Sequence, residues 1–273
     1  MPSIYTHHRF GRDLVDYLKP ELKNLAILYP DLYELGQQGP DIFFAHPRWL
    51  MRPDSLGMII HNHAGKDYLN RQKSWLKNLG LNSPQAAYLL GTMCHYILDS
   101  KVHPLVDALS EPNDFTHLTV ETELDRYFLE VDGYEPTQFN PAQLIPRKKT
   151  YRQLMNDFYY SYGLGSFINL QASVAYFRMI KHLFYSPNPI KGEIFLKIFD
   201  LVGKKASYNG LIMQVAAFPQ ASQSNPQLVA AYEASLRQAP DLLANAFAYI
   251  FEDQPLLADF NLDYNGQEIE HEG

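Results

Sequence analysis

A single cysteine, Cys94, occurs in the 273 residues. That excludes an intramolecular disulfide and a thiolate zinc knot, so any metal held by this chain must take nitrogen and oxygen ligands. No run approaches the roughly 20 apolar residues that cross a bilayer. The opening Met-Pro-Ser-Ile-Tyr-Thr-His-His-Arg-Phe has no basic stretch followed by an apolar core, and a soluble protein of the cytoplasm is expected. Positive charge is also short, with 23 Lys and Arg against 30 Asp and Glu and a net charge of −7. No broad surface therefore collects polyanions by long-range attraction, and no specific nucleic-acid partner is expected. The one compact basic run, Arg147-Lys148-Lys149, reads as a solvated loop. Strand signals are nearly absent.

What is present is apolar and aromatic. Hydrophobic residues make up 46% and aromatic residues 14% of the chain, enough for a sizeable core. Apolar residues recur at three-and-four spacing throughout, which predicts an all-α protein. The clearest helix opens at Ser83-Pro84, a cap followed by proline at the first helical position, and runs to about Val102, with Pro104 closing it. Another is expected from Asp54 or Ser55 through Trp75 to Gly80, and a third over 114–131. Further periodic segments cover 150–162, 166–185, 191–203, 206–218, 225–237 and 240–252. Residues 132–149 read as a long connection. One helical domain over 1–254 is expected, its chemistry in 1–125 and scaffold helices in 150–254, followed by an acidic, loose tail over 255–273.

Eight of the ten histidines fall between residues 7 and 117. In the best-signalled helix, His95, Asp99 and His103 are four apart. Each such step turns about 400°, which keeps the three within roughly 80° of one face. The next helix repeats the device with His117 and Glu121. Two helices that each present an imidazole and a carboxylate inward are a common way to build a metal site in a helical core. Acids buried at matching positions would be costly without a counter-charge, so an apolar core gives no account of them.

The order His7, Gly39-Pro40-Asp41, His61, His95-x3-Asp99-x3-His103 and His117-x3-Glu121 resembles the zinc-dependent phospholipase C family. That family shares its multi-helix bundle and trinuclear zinc site with the single-strand-specific zinc nucleases. The resemblance covers residues 1 to about 125. It implies one metal on Asp41, His61, His95 and Asp99, a second on His103, His117 and Glu121, and a third on His7 with Asp99 bridging. His7 is preferred over His8 because Tyr-x-His-x-Arg-Phe resembles the family's opening, and His61 over His63 because Leu56-Gly57-x3-His61 does likewise. His8, His46 and His63 then become supporting or surface residues, His182 is structural, and His271 lies in the tail. The chain opens Met1-Pro2 where secreted members present a Trp to the third zinc, so two metals are expected with a third depending on His7. Glu121 and the fourteen-residue step from His103 to His117 place the chain nearer the phospholipases than the nucleases.

The implied chemistry is hydrolysis of a phosphoester by a metal-activated water, with Asp41 also orienting or deprotonating that water. Zinc suits the ligand set, and iron, nickel or manganese would also fit it. The expected partner is a small phosphoester or a phospholipid head group, with at most peripheral membrane contact. Tyr5, Phe43, Phe44 and Trp49 are near ligands in sequence and could face a choline-type group, although rings so placed usually pack in the core. Cys94 is expected to pack in the core, and Glu123 and Asp125 to reach solvent or the layer behind the ligands. A nuclease or nucleotidase on the same scaffold, or a metal-binding protein without turnover, are the competing readings.

Overall fold

The structure is a computed structural model that describes residues 4–44, 55–112, 114–147, 158, 159, 162 and 170–269. Among these the fold is all-α, with no strand and only two isolated bridges. The helices are α1 (Ile4–Leu14), α2 (Pro20–Leu28), α3 (Pro30–Gly36), α4 (Leu56–His61), α5 (Gly65–Leu79), α6 (Pro84–Leu109), α7 (His117–Val131), α8 (Leu170–Phe184), α9 (Pro189–Leu201), α10 (Lys205–Tyr208) and α11 (Ala221–Phe251). None of the described helices is long and apolar enough to cross a membrane.

Helix α6 is the axis. Every residue from Gln85 to Ser100 is buried, as befits a helix that is apolar nearly all round. Helices α1, α2, α3, α5, α7 and α11 surround it. The hydroxyl of Ser83 accepts from the Ala86 amide and starts it. Helix α3 crosses at backbone contact, because two glycines meet there. A Cβ on Gly91 would lie 2.2 Å from the Tyr33 carbonyl oxygen, and one on Gly36 2.4 Å from that of Tyr88. This approach brings the residues that follow α3 up to the middle of α6.

Several boundaries differ from the sequence reading, each for a tertiary reason. Pro104 does not close α6, which continues to Leu109. Proline there leaves the Ser100 carbonyl without its helical donor, and Gly266, near the chain's end, lies against both groups. The helix expected from Ser55 to Gly80 divides at Asn62–Ala64. Ser55 caps α4, Gly80 ends α5, and the break leaves His61 at the end of a helix. The helix expected over 206–218 is only the short α10 and a 3-10 turn, Asn209–Leu211. Carbonyls of this segment bond to α7 instead: Gly210, within the turn, accepts from Thr122, and Gln214, beyond it, from Arg126. The two helices expected over 225–237 and 240–252 are one, α11, which continues past Pro226 and Pro240. Leu228, Tyr232, Ser235, Ala239, Leu242, Leu243 and Ala246 give it an unbroken buried face. Of the segment 150–162, only Phe158, Tyr159 and Tyr162 are among the described residues.

The acidic end of the chain, expected to be loose, is packed as far as residue 269. Phe260 and Tyr264 are fully buried, the Gly65 amide donates to the Leu262 carbonyl, and the Tyr264 amide donates to that of His61. Tyr96 anchors the same stretch by donating to the carbonyls of Asp259 and Leu262.

Gly91→Ala is expected to destabilise the fold by about 1–3 kcal/mol, because the added methyl forces α3 and α6 apart. Alanine's better helix propensity acts in the opposite direction by up to about 1 kcal/mol. Urea unfolding measures the balance, and an unchanged or raised midpoint would show that the crossing is looser than described.

Candidate metal centre

The sequence ladder on α6 places the His95, Asp99 and His103 side chains on one buried face, and four other elements bring residues to it. The 3-10 turn Gly39–Phe43 supplies Asp41. The reason for Gly-Pro-Asp is steric: Gly39 has φ +48° and lies so close to His95 that a Cβ would come within 2.5 Å of the imidazole. Only glycine fits both demands. Helix α4 ends on His61, α7 begins with His117 and carries Glu121 one turn later, and α1 supplies His7.

All eight residues expected to act as ligands come together. Asp99 lies at the centre. Its Oδ2 is 2.9 Å from His95 Nε2 and 3.7 Å from His61 Nε2, while Oδ1 is 3.1 Å from His7 Nε2 and 3.3 Å from His103 Nε2. Asp41 Oδ1 is 3.3 Å from His61 Nε2 and 3.8 Å from His95 Nε2. Glu121 Oε1 is 3.2 Å from the Nε2 atoms of both His103 and His117. Three sets have donor atoms within 4.8 Å of one another: Asp41, His61 and His95; His7, His95 and Asp99; His103, His117 and Glu121.

Tautomers follow from the backs of the rings. His61 Nδ1 donates to the Gly57 carbonyl at 2.7 Å, and His95 Nδ1 to that of Gln37 at 3.0 Å. A carbonyl only accepts, so in the neutral rings each Nε2 presents a lone pair inward. His117 Nδ1 is held at 2.6 Å by the Asp107 carboxylate, the outer partner that metal-ligating histidines commonly have. Although His95 Nε2 is 2.9 Å from a carboxylate oxygen, it makes no hydrogen bond there. Imidazole nitrogens and carboxylate oxygens converging in this way fit a divalent cation.

The electrostatics agree. Burial opposes ionisation of Asp41, Asp99 and Glu121, but the facing histidines outweigh it and hold all three below the usual carboxylate range. Burial lowers His61 and His117 as well, yet Asp41 and Asp99 for the first, and Glu121 for the second, raise each to about 9. His7 is depressed by burial and by the charge of His95, whose ring stacks on it at 4.0 Å.

Of the remaining histidines, His63 bonds the Ile59 carbonyl, His182 lies beside Asn140, and His8 lies beside Tyr5. His46, Trp49 and His271 lie outside the described residues. Tyr5 and Phe43 are core, whereas Phe44 lies against the His61 ring at 5.2 Å. Cys94 is buried and its thiol is pushed up to about 12. Glu123 and Asp125 do not reach solvent. Glu123 pairs with Arg126, and Asp125 accepts from the Tyr5 and Thr6 amides and the Thr6 hydroxyl. Asp125 thereby anchors the start of α1, two residues before His7. Asp107 and Tyr264, whose ring packs against His61 and His95, were not singled out from the sequence. Asp107 had a signal, since it extends a ladder by four, His95, Asp99, His103, Asp107, just as Asp125 extends His117 and Glu121.

Fold and centre together define a helical protein with a buried multi-histidine, multi-carboxylate core that could hold metal. The model of the zinc-dependent phospholipase C family matches residues 6–180, well over half of the chain, and the protein belongs to that family. Searches of curated proteins and of solved structures gave no match.

Without metal, His61 and His117 contribute stability that is complete below their unfolded pKa of about 6.5 and lost as pH rises through about 9. For His61 this is at most about 3 kcal/mol. The depressed carboxylates act at the other end, stabilising above about pH 4 and losing that contribution as pH falls through their folded pKa values. The melting temperature of the chelated protein is expected to drop between pH 7 and 9.5. The zinc-loaded protein should gain between pH 6 and 8, because protons compete with the ion for the same nitrogens. Parallel profiles for the two forms would contradict this.

Proposed function

We propose that the protein is a phospholipase C-like phosphodiesterase working at two or three divalent ions, zinc foremost. The ions would be held by His7, Asp41, His61, His95, Asp99, His103, His117 and Glu121. The observation that carries the reading is Asp99, whose two oxygens face different sets of imidazoles. A bridging carboxylate of this kind suits neighbouring ions that share one substrate phosphate.

One ion would be held by Asp41 with His61 and His95, and a second by Glu121 with His103 and His117; a third would use His7 and Asp99. Divalent ions bound there would polarise a phosphoryl oxygen and acidify a water toward neutral pH. The chain's own part is to hold the lone pairs in place through the Gly57 and Gln37 carbonyls and Asp107. It also keeps the carboxylates ionised and covers His61 with Phe44. Asp41 meets His61 and His95 through Oδ1, and its other oxygen has no partner among the described residues. We assign that oxygen to orienting the attacking water. Water would add to phosphorus as the bond to the leaving alcohol breaks, the alcohol gaining the proton that the water loses. The substrate class is a phosphodiester with a small head group, phospholipids among them.

Zinc-loaded protein is expected to hydrolyse bis(p-nitrophenyl) phosphate and to release phosphocholine from phosphatidylcholine. Elemental analysis should find two or more ions per chain, with fewer in both His95→Ala and His117→Ala. Full metal content in those variants would refute the ligand assignment. Asp41→Asn is expected to lower kcat by about 10²-fold or more with little change in metal content. Equal loss of metal and rate would reduce Asp41 to a plain ligand.

A further inference from the structure

Helix α9 is apolar on both faces and buried on only one. Gly192 and Phe199 face the protein, and the Phe195 and Phe199 rings pack on Phe184 of α8. The other face carries Ile190, Ile194, Ile198 and Leu201, exposed by 65, 52, 47 and 89%. At 100° per residue these four lie within about 80° of one another, a continuous stripe rather than scattered surface residues. Val202 extends it past the helix end and is also exposed.

Charge chooses what covers the stripe. Residues 189–205 contain four lysines and two acids, a balance of +2, in a chain whose net charge is −7. Lys197 lies about 20° from Ile190 on the helical wheel, and Lys204 and Lys205 follow the stripe's end; all three are exposed. None of the three has a partner among the described residues. A second copy of an acidic chain would meet these lysines through a similarly apolar and basic patch, which gives no charge complement. An anionic bilayer surface gives both an apolar boundary for Ile and Leu and counter-charges for lysines at its rim. The attachment of this segment to the centre is short and direct. The Gly210 carbonyl that follows it accepts from Thr122, next to Glu121 on α7.

We infer that α9 with Val202, Lys204 and Lys205 is a docking surface for anionic lipid membranes. The helix lies in the plane of the interface with its isoleucine stripe below the head groups. Binding itself is independent of the phosphodiesterase reading; the consequence that docking presents the centre to lipid phosphodiesters rests on it.

Co-sedimentation of the zinc-loaded protein with vesicles tests the inference, using phosphatidylcholine alone and phosphatidylcholine mixed with phosphatidylglycerol. Binding is expected to the mixed vesicles and to weaken with added salt. Replacing Ile190, Ile194, Ile198 and Leu201 together by Ser should reduce it more than about tenfold. K197E, K204E and K205E should each reduce it by about fivefold or more. All variants are expected to keep the parent's helical circular dichroism and its rate on soluble bis(p-nitrophenyl) phosphate, because none of these residues lies at the centre. Absence of vesicle binding by the parent overturns the inference. So does equal binding by the Ser variant, or a parent dimer in light scattering that the Ser variant converts to monomer without any lipid contact. Binding without hydrolysis of either substrate would leave the docking surface in place and sink the phosphodiesterase reading instead.

Discussion

A carboxylate that is 3% exposed in the middle of a helical bundle must be surrounded by positive charge or the fold loses several kcal/mol. Asp99 meets that demand with four imidazoles drawn from three helices. Much of the architecture follows from this requirement. Helix α4 must stop where it does for His61 to reach inward, and α1 must begin beside α7 for His7 to arrive. The α3–α6 crossing has to be tight enough to deliver Asp41. Histidines alone are a partial answer, since several imidazoles around one carboxylate repel each other when protonated, as the stacking of His7 on His95 makes plain. Divalent ions would resolve the conflict, and belonging to a zinc-dependent family fits that physical need.

The ladder residues of the candidate centre were legible because four-residue spacing on a helix is a local property. His95, Asp99 and His103 share a face whatever surrounds them, and so do His117 and Glu121. Asp41, His61 and His7 were reached only through the resemblance to the family, since no spacing rule relates residues on separate elements. The supporting layer was partly legible too. Asp125 was expected in solvent or behind the ligands and lies behind them, continuing the second ladder, while following the first ladder one step further would have found Asp107.

What stayed hidden was tertiary. Pro104 looked like a stop because proline removes a donor and crowds the preceding turn. Burial of the surrounding helix outweighed that cost. The 206–218 segment has helical periodicity, yet its carbonyls bond to α7. The end of the chain is polar in composition, and the few residues that hold it, Phe260, Tyr264 and Gly266, are a small minority of the stretch.

Those last residues give the centre an unusual order of assembly. Tyr264 packs on the rings of His61 and His95 and its amide bonds the His61 carbonyl, while Gly266 fits over the turn between Ser100 and Pro104. During synthesis every candidate ligand emerges long before the lid that braces them. The contacts that steady His61 and His95 can therefore form only once the segment carrying Phe260, Tyr264 and Gly266 has followed them out.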